Sequence, residues 1–471
     1  MSKRHDKLDR RVFLKSTAAG LGAAAVGGSI IQAADQAGMG VSDKLPEVKV
    51  DPSKLIHLSE NPSMEYRRLG RTNFMCSRIV AGWCRDMSLH RRLLASGVNY
   101  YDNARGYGNY EVEMKPFLKR FRDKVFLISK STGIAGHHKI DDKVVELYRK
   151  AMKDFLGSGE GDLLDLYKQA IKKQKESGDK PDLRPIGKRI AEMYSRMIDE
   201  SLQRMGVDNV DCYMMHGIEI PWIFDCLELW EAYEKAHKAG KAKHFGFSTH
   251  KHQKEVLAAA VEADTKGPWK IDIVMPAVNP STDSFDHLKD ELTAMKKRDI
   301  GIIAMKTKGI ANRPVDGREE KFKSLTGGRE YNEWERAKLW MLHLTEGRID
   351  GCIAAVKNMK EMERTLALPA LKLSAAAQRE LRALVKLELA GTCHLCGACE
   401  SVCPEQIAVT DMIRYHAYIH QYDEKEMARE LYAEAGYDPS KLCSQCGRCT
   451  EVCPSNVRIT DVLQRLSASM A

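Results

Sequence analysis

At 471 residues, with 43% hydrophobic, 30% charged and only 7% aromatic side chains, the chain can hold more than one domain and is too ordinary in composition for a disordered or fibrous protein. The net charge of +9 mixes both signs, and no Lys/Arg block with interleaved aromatics marks a nucleic-acid surface. Cys76, Cys84, Cys212, Cys226 and Cys352 are scattered singly, which predicts buried reduced thiols and excludes a disulfide framework.

The chain opens with Asp9-Arg10-Arg11-Val12-Phe13-Leu14-Lys15, followed by an apolar, Gly/Ala-rich stretch over residues 16–31. This resembles a twin-arginine export signal, whose Arg pair and following Phe-Leu-Lys are read by a receptor. Asp9 stands where Ser or Thr is usual. The stretch is short and glycine-rich for a membrane span. Residues 1–38 are therefore expected to be the signal, processed within 32–40, and residues 39–63 a polar linker. The resemblance implies the twin-arginine translocase as a partner during export, and residence in the periplasm or on the outer face of the cytoplasmic membrane.

Over residues 64–373, short apolar runs alternate with helical periods. The runs are 78–83, 98–102, 125–130, 210–216, 244–248, 271–278, 300–306 and 350–356. Eight βα units predict an α/β fold, a (β/α)8 TIM barrel, with its active site at the C-terminal ends of the strands. Residues 133–186 are too long for one crossover. Helical spacing over 144–156 and 163–171 predicts an inserted helical hairpin over the barrel mouth, read either as a lid or docking surface or as plain decoration. Residues 309–332 form a second polar loop, and 374–390 a connecting helix.

Eight cysteines fall in residues 391–471. Cys393, Cys396, Cys399 and Cys403 with Pro404, then Cys443, Cys446, Cys449 and Cys453 with Pro454, each read C-x2-C-x2-C-x3-C-P. A pair of zinc sites also uses CxxC, but has no need of a duplicated four-cysteine run closed by proline. The run is that of bacterial ferredoxins, where the fourth cysteine ligates the other cluster. Two [4Fe-4S] clusters are expected, one on Cys393, Cys396, Cys399 and Cys453, the other on Cys443, Cys446, Cys449 and Cys403. The 39 residues between Cys403 and Cys443 carry helical spacing, which predicts a small α-helical ferredoxin-like domain after the barrel.

Met64-Glu-Tyr-Arg-Arg-Leu-Gly-Arg-Thr72, Tyr101-Asp-Asn-Ala-Arg-Gly-Tyr-Gly108, Leu127-Ile-Ser-Lys130 and Val210-Asp-Cys-Tyr-Met-Met-His216 resemble aldo-keto reductases in order and placement. With the cysteine runs, the chain resembles the branch carrying a C-terminal dicluster ferredoxin domain. The resemblance implies a catalytic tetrad. Tyr107 is the proton donor, Lys130 the cation that lowers its pKa, Asp102 the carboxylate paired with that lysine, and His216 the group that orients the substrate oxygen. It also implies NADP(H), on which this sequence departs. Ser248 is kept, but Thr249 follows where Asn is expected. Met275 and Met305 replace a glutamine and a stacking tyrosine, and Ala354-Ala355 replace a Pro-Gly turn. Asn279, Lys306 and Lys357 are left as candidate nucleotide contacts, and weak or absent NADPH binding is expected.

These features together predict an exported iron–sulfur oxidoreductase. It interconverts a small carbonyl compound and its alcohol, with Tyr107 as general acid/base and electrons exchanged with an electron-transfer partner. The alternative is an electron-transfer or partner-binding protein whose barrel is a scaffold.

Overall fold

A computed structural model describes residues 45, 48–84, 86–134, 140–280, 282–307, 320, 323–324, 328–389, 391–393, 395–422 and 424–470. The signal expected over 1–38 and most of the polar loop expected over 309–332 lie outside them.

Strands β1 (Tyr66–Arg68) and β2 (Met75–Ser77) pair antiparallel as a short hairpin. The strands β3 (Ile79–Ala81), β4 (Tyr100–Tyr101), β5 (Phe126–Ser131), β6 (Val210–Met215), β7 (Ala242–Thr249), β8 (Ile273–Pro276), β9 (Gly301–Ala304) and β10 (Gly351–Ala354) follow. They close in the order β10-β3-β4-β5-β6-β7-β8-β9, and the pairs are parallel, as from Ile128 opposite Cys212 to Ser131 opposite Met215. All eight expected runs carry a strand, because a barrel strand is buried on both faces and its sequence reads as continuous apolar residues. Every residue of β5 and β6 is buried. Gly246 shows how tight the closure is. A Cβ there would lie 2.4 Å from the carbonyl oxygen of Ile273, so any larger residue would push β7 and β8 apart.

The hairpin plugs the N-terminal end of the barrel. Phe74 stacks on Phe126 at 4.5 Å and Phe126 on Tyr100 at 5.3 Å. The insertion forms helices Asp142–Leu156 and Leu163–Ser177, each started by an aspartate accepting from backbone N–H groups and ended by a left-handed glycine. Tyr148 stacks at 4.9 Å on Trp222, in the loop that follows β6.

After the connecting helix Ala375–Leu389, the C-terminal domain is built from helices Val409–His420, Lys425–Ala435 and Ile459–Met470, with one cysteine loop ahead of the first and the other between the second and third. The expected barrel followed by a small helical ferredoxin-like domain is thus present. The helical domain sits on the C-terminal mouth. Barrel-interior residues Met275, Ala277 and Met305 and domain residues Leu395, Met412 and Ile413 belong to one contiguous buried apolar cluster. Among the described residues no helix is long and apolar enough to cross a membrane.

Candidate active site and cluster loops

The two cysteine loops are copies in backbone as well as in sequence. Leu395 and Gln445 have φ of 60° and 56°, Gly397 and Gly447 of 83° and 78°, and Gln406 and Asn456 of 52° and 53°. Left-handed turns at matched positions fold each run around its own sulfurs. One cavity is lined by Cys393, Cys396, Cys399 and Cys453. A second is lined by Cys403, Cys443, Cys446 and Cys449. The fourth cysteine of each run therefore joins the other run's cavity. Among the described residues no three His, Cys, Asp or Glu side chains close on a single-ion site. Four sulfurs around a void suit an iron–sulfur cube and not one zinc ion. Backbone N–H groups of Leu395, Gln445 and Val457 point at the sulfurs of Cys393, Cys443 and Cys453, each at 3.4 Å, as anionic cluster sulfurs require.

The first loop lies close to the barrel. A Cβ on Gly397 would come 2.4 Å from Cε1 of His252. Beside it, the buried ammonium of Lys251 meets Asp411 at 2.6 Å, Glu400 at 3.4 Å and Glu219 at 3.6 Å. Two of these carboxylates belong to the C-terminal domain, so a charge cluster clamps it to the barrel.

On the barrel rim, Asp102 follows β4, Lys130 lies in β5, His216 follows β6, and Tyr107 sits on the loop after β4. Parallel strands bring these ends together. Lys130 Nζ donates to Asp102 and, at 2.9 Å, to the carbonyl of Asn103. It lies 3.5 Å from the Tyr107 hydroxyl, which is 3.3 Å from Asp102 Oδ2. The His216 ring meets the Tyr107 ring edge-on at 5.6 Å, and Trp83 flanks Tyr107 at 6.4 Å.

Asp102, Lys130 and His216 are buried, and for the carboxyl and the ammonium burial is the largest electrostatic effect. It raises the Asp102 carboxyl against the pull of Lys130, and it lowers the Lys130 ammonium, which Asp102 only partly restores. The Tyr107 phenol is pushed well above its ordinary value, by desolvation first and the Asp102 carboxylate second. The expectation that Lys130 lowers this phenol is not met. The lysine is committed to Asp102, and the desolvation cost of a phenolate prevails.

The candidate nucleotide contacts have other partners. The Ser248 hydroxyl accepts from Gly217 N at 2.8 Å, fixing the loop after His216. Asn279 is buried. Lys306 donates to the Tyr418 hydroxyl at 3.0 Å, and Lys357 to the carbonyl of Tyr422 at 2.6 Å. Both lysines are thus taken by the C-terminal domain. Sequence reasoning missed Tyr418, Tyr422, Lys251 and Glu219. No sequence signal joins the two tyrosines, since Tyr418 lies in the last turn of the helix ending at His420 and Tyr422 stands beyond its C-cap.

Residues 86–312 match the aldo/keto reductase family, and residues 389–457 match the 4Fe-4S dicluster domain. The chain thus joins an aldo/keto reductase domain to a C-terminal 4Fe-4S dicluster domain that takes two [4Fe-4S] clusters, and it is an oxidoreductase of aldo/keto reductase type. Similar solved structures include the holo form of an aldo-keto reductase from Bacillus halodurans, at 17% identity, 68% coverage of this chain, 96% of that one and a TM-score of 0.45. An aldo/keto reductase from Brucella melitensis is similar at 15% identity, 68% and 99% coverage, and a TM-score of 0.45. No curated protein matches the chain.

Proposed function

We propose that this chain interconverts a small carbonyl compound and its alcohol at the barrel mouth, with electrons supplied singly instead of by a soluble nicotinamide. Cys393, Cys396, Cys399 and Cys453 would hold one cluster, and Cys443, Cys446, Cys449 and Cys403 the other. When bound, these clusters supply one-electron exchange with an outside partner. The observation that carries the reading is the engagement of Lys306 and Lys357 by Tyr418 and by the Tyr422 backbone, which leaves a nucleotide without its candidate cations.

Tyr107 is the general acid. A phenol carries its proton at neutral pH, so the group enters the reaction holding what it must give. As the proton leaves, the Lys130 ammonium at 3.5 Å stabilises the phenolate, and Asp102 holds the lysine in place. His216 faces the same space and orients the carbonyl oxygen. Trp83 beside Tyr107 gives the substrate an apolar wall.

Export by the twin-arginine route is part of this proposal. It is supported by Arg10-Arg11 ahead of the apolar stretch, and by the need to load clusters before a folded protein is moved. The test of the electron source is an anaerobic comparison. Reduced methyl viologen should drive ketone reduction by the loaded protein, whereas NADPH should bind only above the millimolar range in calorimetry. Micromolar NADPH affinity with NADPH-driven turnover would return the protein to ordinary hydride chemistry.

A further inference from the structure

A carbonyl and its alcohol differ by two electrons and two protons. A hydride carrier brings one hydrogen along with its electrons, but single-electron delivery brings none. The protein must then supply both protons, and Tyr107 holds one.

A second phenol stands at the same mouth and comes from the other domain. Tyr418, near the end of helix Val409–His420, is buried, and its hydroxyl accepts from Lys306 Nζ at 3.0 Å. The same ammonium lies over the Tyr418 ring at 4.6 Å and over the Tyr422 ring at 5.3 Å. Lys306 follows β9 on the catalytic rim and holds a left-handed backbone, φ 52°. A non-glycine residue adopts that conformation at a cost, and such strain gathers at functional sites. Tyr422 packs edge-on against Tyr418 at 5.9 Å, fixing the ring.

We propose that Tyr418 is the second proton donor of the reaction, positioned by Lys306, an inference that rests on the carbonyl reading above. In the direction of reduction, the substrate takes one electron and a proton on oxygen from Tyr107; the C=O π bond breaks and an O–H bond forms. It takes a second electron and a proton on carbon from Tyr418, and a C–H bond forms. Two electrons and two protons give the alcohol, and solvent reprotonates both phenolates. The reductant is a one-electron donor of low potential, a reduced redox protein or, in vitro, reduced methyl viologen.

The surroundings of the two phenols fit this division. The groups facing Tyr418 are Lys306 from the barrel and Asp411, Arg414 and Tyr422 from its own domain, with Tyr107 at longer range. Burial would raise the Tyr418 phenol and Asp411 adds to that, but Lys306 and Arg414 prevail and hold it below the ordinary tyrosine range. Tyr107 is held well above that range. Two like groups pushed in opposite directions in one site is the pattern of divided acid roles.

The test uses the loaded full chain, reduced methyl viologen and D2O, with acetophenone and 2-butanone as probes. The parent should place deuterium on the carbinol carbon in one configuration. Tyr418→Phe keeps the ring, and Lys306→Met keeps the phenol but removes its cation. Both should retain iron and sulfide, lose the single configuration, and turn over on the order of 10²-fold more slowly. Parent rate and configuration in Tyr418→Phe would overturn the inference, while deuterium at carbon in the parent would leave the carbonyl reading standing. Carbon-bound hydrogen drawn from NADPH, or no turnover of either ketone, would overturn that reading and the inference with it. A readout free of turnover is the ¹³C resonance of tyrosine labelled at Cζ. One phenol should titrate below the rest, vanish in Tyr418→Phe and move up in Lys306→Met; its absence from the parent counts against the proposal.

Discussion

Lys251 of the barrel and Asp411 of the dicluster domain meet at 2.6 Å, and the same ammonium lies within 3.6 Å of Glu219 and 3.4 Å of Glu400. Burial would strip this lysine of its charge, but three carboxylates overcome it and hold its pKa well above the usual value. Removing one partner of a buried ion pair strands the others and costs on the order of 3–5 kcal/mol. Lys251→Met should therefore loosen the seating of the dicluster domain. Hydrogen exchange checks it: amides of helix Val409–His420 should lose protection while β5 and β6 keep theirs. Unchanged protection would mean that the apolar contact alone holds the domains together.

The crossing of the fourth cysteines has a signature in double variants. Anaerobically loaded parent should carry about eight irons. Cys453→Ala combined with Cys396→Ala strikes one cluster twice and should leave about four irons, whereas Cys453→Ala with Cys446→Ala strikes both and should leave few. Iron and sulfide analysis decides. The reverse pattern would assign each fourth cysteine to its own run.

Export depends on the arginine pair. Replacing Arg10 and Arg11 with lysine should leave the protein in the cytoplasm, as read by cell fractionation. Undiminished delivery to the periplasm would exclude the twin-arginine route.

Behind Tyr107, the ring of His90 meets the Tyr110 hydroxyl at 2.9 Å. Burial lowers its pKa from 6.5 to about 4. A depressed imidazole favours the fold above its unfolded value and loses that contribution as pH falls from 6.5 through 4. The total is about 3 kcal/mol. The urea midpoint of the parent should drop between pH 7 and 5, and His90→Asn should flatten that slope. An equal slope in both proteins would place the acid sensitivity elsewhere.

The barrel was legible because runs such as 125–130 and 210–216 are mostly apolar, with the polar Lys130 and His216 at their C-terminal ends, and eight such runs alternate with helical periods as a closed parallel sheet requires. The duplicated cysteine spacing was legible for the same kind of reason, since three ligands on one loop fix the spacing locally. The hairpin β1–β2 was harder, being three residues on each strand with a mixed pattern. The seating of one domain on the other was out of reach. Lys306 and Tyr418 are separated by more than a hundred residues, and nothing in a single sequence says that a lysine on a strand end will meet a phenol on a distant helix. The direction of the Tyr107 shift was misread for a related reason. A motif gives the neighbouring charges but not the burial, and at this site burial is the larger effect.

Tyr107→Phe, assayed for ketone reduction with reduced methyl viologen, tests the role of the barrel site most directly. The substitution removes one hydroxyl and leaves the ring between Trp83 and His216, so fold and iron content should hold. Loss of a positioned general acid lowers the rate on the order of 10²–10⁴-fold, and Lys130→Met should fall by a similar factor. A Tyr107→Phe protein that turns over ketone at the parent rate would contradict catalysis at this site and make the barrel a scaffold for the dicluster domain.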